Sequence, residues 1–121
     1  MKKVLVVEDE RTLRDALVKK LSKEEFTVLS AKDGKEGLDT ALAEHPDLIL
    51  LDILMPKMNG IEVLQKLRED EWGAKAKVIV LTVLNDQKKI LEALEKGAYE
   101  YLVKSDWKLE DIVERVKEKL Q

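Results

Sequence analysis

Apolar residues fall along the chain in two alternating rhythms. Val4-Leu5-Val6-Val7, Leu48-Ile49-Leu50-Leu51 and Val78-Ile79-Val80-Leu81 are unbroken aliphatic runs, and runs without polar alternation predict strands buried on both faces. Phe26 to Ala31 and Tyr99 to Val103 predict two more, the former polar enough to lie near a sheet edge. Between the strands the spacing changes to three and four. Leu13, Ala16, Leu17 and Leu21 stripe a first helix, and Leu38, Ala41 and Leu42 a second. Ile61, Leu64 and Leu67 stripe a third, and Leu109, Ile112, Val113, Val116 and Leu120 a fifth. Asp33 with Glu36, and Asn59 with Glu62, carry the capping-box spacing at two helix starts. A fourth helix is expected over Gln87 to Lys96, stopped at Gly97, a residue suited to the left-handed C-cap.

Strands and helices therefore alternate five times, with short connections and no linker, repeat or low-complexity tract. That pattern predicts an α/β fold with a parallel sheet covered on both sides. Right-handed crossovers leave few arrangements, of which the flavodoxin-like, doubly wound order 2-1-3-4-5 is the common one for five strands. In this order the first and third strands are neighbours at the topological switch point, where open sheets bind ligands.

Charge gives that edge its chemistry. The third strand runs into Asp52, the first into Glu8 and Asp9, the fourth ends on Thr82 and the fifth on Lys104. Three carboxylates against one ammonium raise one another's pKa and call for a cation. Mg2+ suits all-oxygen ligands and phosphate, with Mn2+ as a substitute. A carboxylate beside a divalent cation, a hydroxyl and a lysine can act as a nucleophile toward a phosphoryl group.

The remaining composition narrows the partners. The 121 residues suit one domain spanning 1–121, with no effector domain in this chain. The formal charge of -3 and the lack of a basic stripe disfavour direct nucleic-acid binding. Val4 to Val7 is too short for a membrane span or a signal core, so no membrane association and a cytoplasmic location are expected. There is no Cys, which excludes disulfides and thiol chemistry.

The segments Val4 to Asp9, Pro46 to Gly60, Val80 to Thr82 and Gly97 to Lys104 together resemble the response-regulator receiver domains of two-component signalling, similar to the chemotaxis regulator, over the whole chain. The resemblance implies that Asp52 is the phosphoacceptor, supplied by a sensor histidine kinase or a phosphotransfer protein. It implies that Asp9 and Asp52 ligate Mg2+ directly, that Glu8 holds a metal-bound water, and that Leu54 offers its backbone carbonyl. Thr82 and Lys104 would contact the phosphoryl oxygens, and Tyr101 would turn inward with Thr82 as the switch. The expected output surface is the fourth helix, fifth strand and fifth helix, acting on a downstream effector or forming a phosphorylation-dependent homodimer. No enzyme activity is expected beyond self-phosphorylation and autodephosphorylation at Asp52. Two rival readings are an unphosphorylated pseudo-receiver and a haloacid-dehalogenase-type phosphohydrolase. Against the latter, Glu8-Asp9-Glu10-Arg11-Thr12 departs from the Asp-x-Asp spacing of those enzymes.

Two positions depart from the family. Ser105 follows the lysine where Pro, often in a cis peptide, is usual. A cis bond there would cost ~3 kcal/mol against under ~1 for Lys-Pro, so either strain is held or the loop takes another path. Val83 replaces the usual Ala or Gly after Thr82 and should narrow access to the acceptor. Leu54 and Leu84 flank the expected path of the hydrolytic water and, being apolar, predict a long-lived phosphoryl group. His45 reads as a solvated loop residue. Met55, Met58 and Trp72 read as packing, and Trp107 as packing or as an exposed anchor on the output face.

Overall fold

A computed structural model describes residues 1–83 and 85–121. The strands are β1 (Lys3–Val7), β2 (Thr27–Ala31), β3 (Leu48–Leu51), β4 (Val78–Thr82) and β5 (Glu100–Val103). All pairings are parallel and the order is β2-β1-β3-β4-β5, the predicted arrangement. The helices are α1 (Arg11–Ser22), α2 (Gly34–Glu44), α3 (Gly60–Glu69), α4 (Gln87–Glu95) and α5 (Leu109–Leu120). Among the described residues, no helix is long and apolar enough to cross a membrane.

The aliphatic runs divide residue by residue between the two faces of the sheet, as strand alternation requires. Leu5, Val7, Ile49, Leu51, Val78 and Val80 pack on α2, α3 and α4 through Leu38, Ala41, Leu64, Leu67 and Ala93. Val4, Val6, Leu48, Leu50, Ile79, Leu81 and Leu102 point to the other side, toward Leu17, Leu21, Ile112, Val113 and Val116 of α1 and α5. Leu42 is an exception to the predicted stripe. It is exposed, because Leu38 and Ala41 already fill the strip of α2 that faces the sheet.

The two predicted caps differ. Asn59 accepts from the Glu62 amide while the Glu62 carboxylate accepts from the Asn59 amide, a complete box. Asp33 accepts from the Glu36 amide, but Glu36 reaches one residue further back, to the amide of Lys32. The α4 helix ends as expected, with Gly97 at φ 86°. Its C-terminus is clamped by Arg68, which donates to the carbonyls of Lys96 and Gly97 from Nε and Nη2 at 2.7 and 2.9 Å. The same guanidinium holds the carbonyls of Gly73 and Ala76 through Nη1, at 2.6 and 2.9 Å. Elsewhere α4 is lightly held: Ala93 is its one fully buried residue, and Leu91 and Leu94 face solvent.

Candidate functional site

Register brings the acidic residues together. Val7 pairs with Leu51, so Glu8 and Asp52, the next residue on each strand, lie level at the carboxyl edge. Thr82 pairs with Val103, which places Lys104 directly beyond the β4 end. Glu8 and Asp52 are 2 % and 3 % exposed, and Thr82 is fully buried. Asp9 is exposed. One carboxylate oxygen from each of Glu8, Asp9 and Asp52 lies within 4.8 Å of the others.

Burial of two carboxylates side by side is unfavourable unless a positive charge meets them. Lys104 does so, placing Nζ 2.7 Å from Glu8 Oε1 and 3.2 Å from Asp52 Oδ2. The remaining oxygens are met by main-chain amides. Glu10 donates to Glu8 Oε2 at 3.0 Å and Leu54 donates to Asp52 Oδ1 at 3.3 Å. Burial pushes the Glu8 carboxyl up to about 7, and the Asp52 charge adds to the rise, against the hydrogen bonds from Lys104 and the Glu10 amide. Burial alone would lower the Lys104 ammonium pKa, but the hydrogen bond to Glu8 and the Asp52 charge carry it above its ordinary value.

The loop after β3 is fixed by α3. The Gly60 amide donates to the Ile53 carbonyl at 2.9 Å, and a Cβ at Gly60 would overlap the Asp52 carbonyl oxygen. Leu54 stands at the rim, 48 % exposed, and Val83 is 60 % exposed, so its extra bulk stands largely in solvent. Leu84, the other predicted modulator, lies outside the described residues. The described chain contains no cis peptide. The Lys104-Ser105 bond is therefore trans, and the loop takes the other path, through a 3-10 turn over Lys104–Asp106.

Tyr101 is half-buried against the α4 side of the sheet. Burial raises its hydroxyl pKa, with the Asp86 and Asp52 charges adding to the rise. Trp107 is not an exposed anchor: it packs on the α5 side of the core, with the Arg115 guanidinium 5.2 Å from its ring centre. His45 is exposed, yet it stacks on Trp72 with ring centres 4.4 Å apart and planes 6° from parallel. This contact, at the opposite end of the sheet, joins two residues 27 positions apart that no local pattern linked.

Comparison with known proteins agrees with this geometry. Residues 4–117 match the family model described as the response regulator receiver domain. The chain belongs to that family. It is 41 % identical over 102 residues to a probable transcriptional regulator of Porphyridium aerugineum, covering 84 % of this chain and 41 % of that protein. It is 34 % identical over 117 residues to the response regulator ArlR of Staphylococcus aureus, covering 97 % of this chain and 52 % of that one. The chain thus spans about half the length, or less, of these curated relatives. A CheY-like receiver domain protein of Methanospirillum hungatei superposes with a TM-score of 0.91 at 31 % identity, covering 99 % of this chain and 94 % of that one. The response regulator TrrA of Thermotoga maritima, solved in complex with Mg2+ and BeF, does so with 0.85 at 34 %, covering 98 % and 99 %. Receiver domains are in general regulatory parts of two-component systems that bind Mg2+ at an acidic site, and in this chain Glu8, Asp9 and Asp52 form an acidic cluster.

Proposed function

We propose that this chain is a phosphorylation-dependent switch in which Asp52 accepts a phosphoryl group. The observation that carries the reading is the buried Glu8 and Asp52 pair beside Asp9, bridged by the Lys104 ammonium. The donor set fits Mg2+: three clustered carboxylates supply hard oxygens and excess negative charge, and Mg2+ favours oxygen ligands while keeping several waters. Asp9 and Asp52 would ligate the ion directly, Glu8 through a water, and Leu54 by its carbonyl. When bound, the ion neutralises charge on the transferring oxygens.

In the transfer an Asp52 carboxylate oxygen attacks phosphorus. The new O–P bond forms as the P–N bond of the kinase's phosphohistidine breaks, and the imidazole leaves with the bonding pair. Lys104 pairs with one phosphoryl oxygen and the Thr82 hydroxyl donates to another. Glu8 keeps negative charge near the lysine. Thr82 drawn toward the phosphoryl group opens space beside β4 into which Tyr101 turns. The half-burial of Tyr101 beside the lightly held α4 supports that step. The α4, β5 and α5 surface, where Leu91, Leu94 and the nearby Tyr99 are exposed, would then meet a downstream effector or a second copy. To move its population decisively, phosphorylation must favour the switched state by ~5 kcal/mol.

Incubation with acetyl phosphate and Mg2+ tests the reading. A mass increase of one phosphoryl group mapped to Asp52 is the expected result. No adduct with either acetyl phosphate or beryllofluoride would leave a pseudo-receiver, a constitutive binding module.

The raised Glu8 pKa makes Mg2+ binding pH-dependent. In the metal-free fold Glu8 favours its neutral form, so its stabilising contribution is present below about 4.5 and lost as pH rises through about 7. Mg2+ needs the ionised form. Its affinity should therefore rise up to ~tenfold per pH unit toward 7 and level off above it. Mg2+ titrations from pH 5 to 8 should show that slope, and Glu8→Gln should flatten it.

A further inference from the structure

Two arginines open α1, where the unpaired amides of the first turn disfavour cations. Arg11 lies outside, 3.7 Å from Asp15 and largely in solvent. Arg14 is half-buried and turns back over the strand-to-helix loop. Its Nη1 donates to the Glu8 carbonyl at 3.0 Å and to the Asp9 carbonyl at 3.3 Å. One nitrogen thus holds the consecutive carbonyls of the two acidic residues that β1 brings to the cluster.

The two residues depend on that hold unequally. Glu8 is fixed in several other ways: its amide donates to the Ala31 carbonyl at 3.0 Å, and its carboxylate is met by Glu10 and Lys104. Asp9 is exposed, and among the described residues no hydrogen bond reaches its carboxylate. The direction in which that carboxylate points is set by its backbone. On that backbone the Asp9 carbonyl accepts from Arg14, and the amide of the same peptide unit, that of Glu10, donates to the Glu8 carboxylate. Glu10, the residue that precedes the helix, makes no side-chain cap that could hold the loop instead.

We propose that Arg14 is a positioning residue for the cation site, holding the Glu8-Asp9 main chain so that the exposed Asp9 carboxylate is already aimed at the oxygens of Glu8 and Asp52. The proposal rests on the Mg2+ reading above. Two effects compete at Arg14. Its charge opposes a nearby divalent ion, while its hydrogen bonds preorganise a ligand whose backbone is otherwise tied, among the described residues, through the Glu10 amide's bond to the Glu8 carboxylate. Outer partners of metal ligands commonly alter affinity ~10- to 100-fold, and preorganisation is taken to win.

The test is Mg2+ titration of the unphosphorylated, full chain, followed by the backbone amide shifts of residues 8–10. Arg14→Met should weaken Mg2+ binding about tenfold, and Arg14→Lys, which can still donate to both carbonyls, should recover most of the loss. Tighter binding in Arg14→Met would show that charge repulsion dominates and overturn the proposal. An unchanged affinity with a lowered metal-free melting temperature would make Arg14 a scaffold residue only and overturn it as well. A loss as large in Arg14→Lys as in Arg14→Met would do the same. Absence of Mg2+ binding by the parent chain would overturn the Mg2+ reading itself, whereas normal parent binding matched by Arg14→Met removes only the role of Arg14.

Discussion

Asp52→Asn should abolish phosphoryl incorporation from acetyl phosphate, a loss of at least ~1,000-fold, while the metal-free protein melts no lower than the parent. The neutral amide oxygen is a poor nucleophile, and no second carboxylate can replace it without rearrangement: Glu8 is held by Lys104 and the Glu10 amide, and Asp9 lies outside in solvent. The fold tolerates the change because Lys104 keeps its 2.7 Å contact with Glu8, so no buried ammonium is left alone. Asp52 also adds to the upward shift of Glu8, so its neutralisation relieves repulsion between like charges. Intact-mass measurement and a thermal melt check both parts. Incorporation at the parent level in Asp52→Asn would move the acceptor elsewhere, and a collapse in melting temperature would mean that Asp52 is needed for folding.

Such separation of chemistry from folding follows from how the chain encodes the site. The aliphatic runs specify strands locally, and the crossover rules then determine which strand ends meet, so Glu8, Asp9, Asp52, Thr82 and Lys104 could be brought to one edge from order alone. The cluster needs no pattern beyond the strand ends. What the sequence did not reveal are interactions between a side chain and a distant or nonperiodic partner. Arg68 looks like an ordinary basic residue in the last turn of α3, yet it binds four carbonyls between Gly73 and Gly97. Nothing in the spacing of His45 and Trp72 announces their stack. Leu42 continues the three-and-four rhythm and still points to solvent, because the sheet covers only a narrow strip of α2.

The two bonds of Lys104 belong to the same group. Family resemblance assigns this lysine to a phosphoryl oxygen, while in the free fold it bridges Glu8 and Asp52. Burial explains the difference. Two carboxylates removed from water need a cation at every stage, and before any ligand arrives Lys104 is the ammonium close enough to serve. The proposed activation therefore exchanges one set of charge partners for another within a preformed site, and the energetic demand falls on the loops that carry those charges.

For that reason the second large effect is expected at a residue with no side chain, Gly60. A Cβ added there would overlap the Asp52 carbonyl oxygen and stand 2.8 Å from Ile53 Cα and 3.0 Å from Asp52 C. All three obstacles are main chain, so no rotamer change can relieve them. Either α3 withdraws, breaking the 2.9 Å bond from the Gly60 amide to the Ile53 carbonyl, or the Asp52 segment shifts toward the Glu8 side. Overpacking against rigid neighbours costs up to ~3 kcal/mol, which in a domain of this length lowers the melting temperature by about 12 °C. Because the displaced atoms belong to the proposed acceptor, Gly60→Ala should also slow phosphorylation by acetyl phosphate at temperatures where the variant is fully folded. Gly34→Ala provides the control: its Cβ would overlap the Met58 carbonyl, a clash more severe than that at Gly60 but at the α2 start rather than against Asp52. Destabilisation at least as large in Gly34→Ala as in Gly60→Ala, with a phosphorylation defect confined to Gly60→Ala, is the expected outcome. Equal defects in both would mean that general loosening of the loop after β3, rather than displacement of Asp52, limits the reaction.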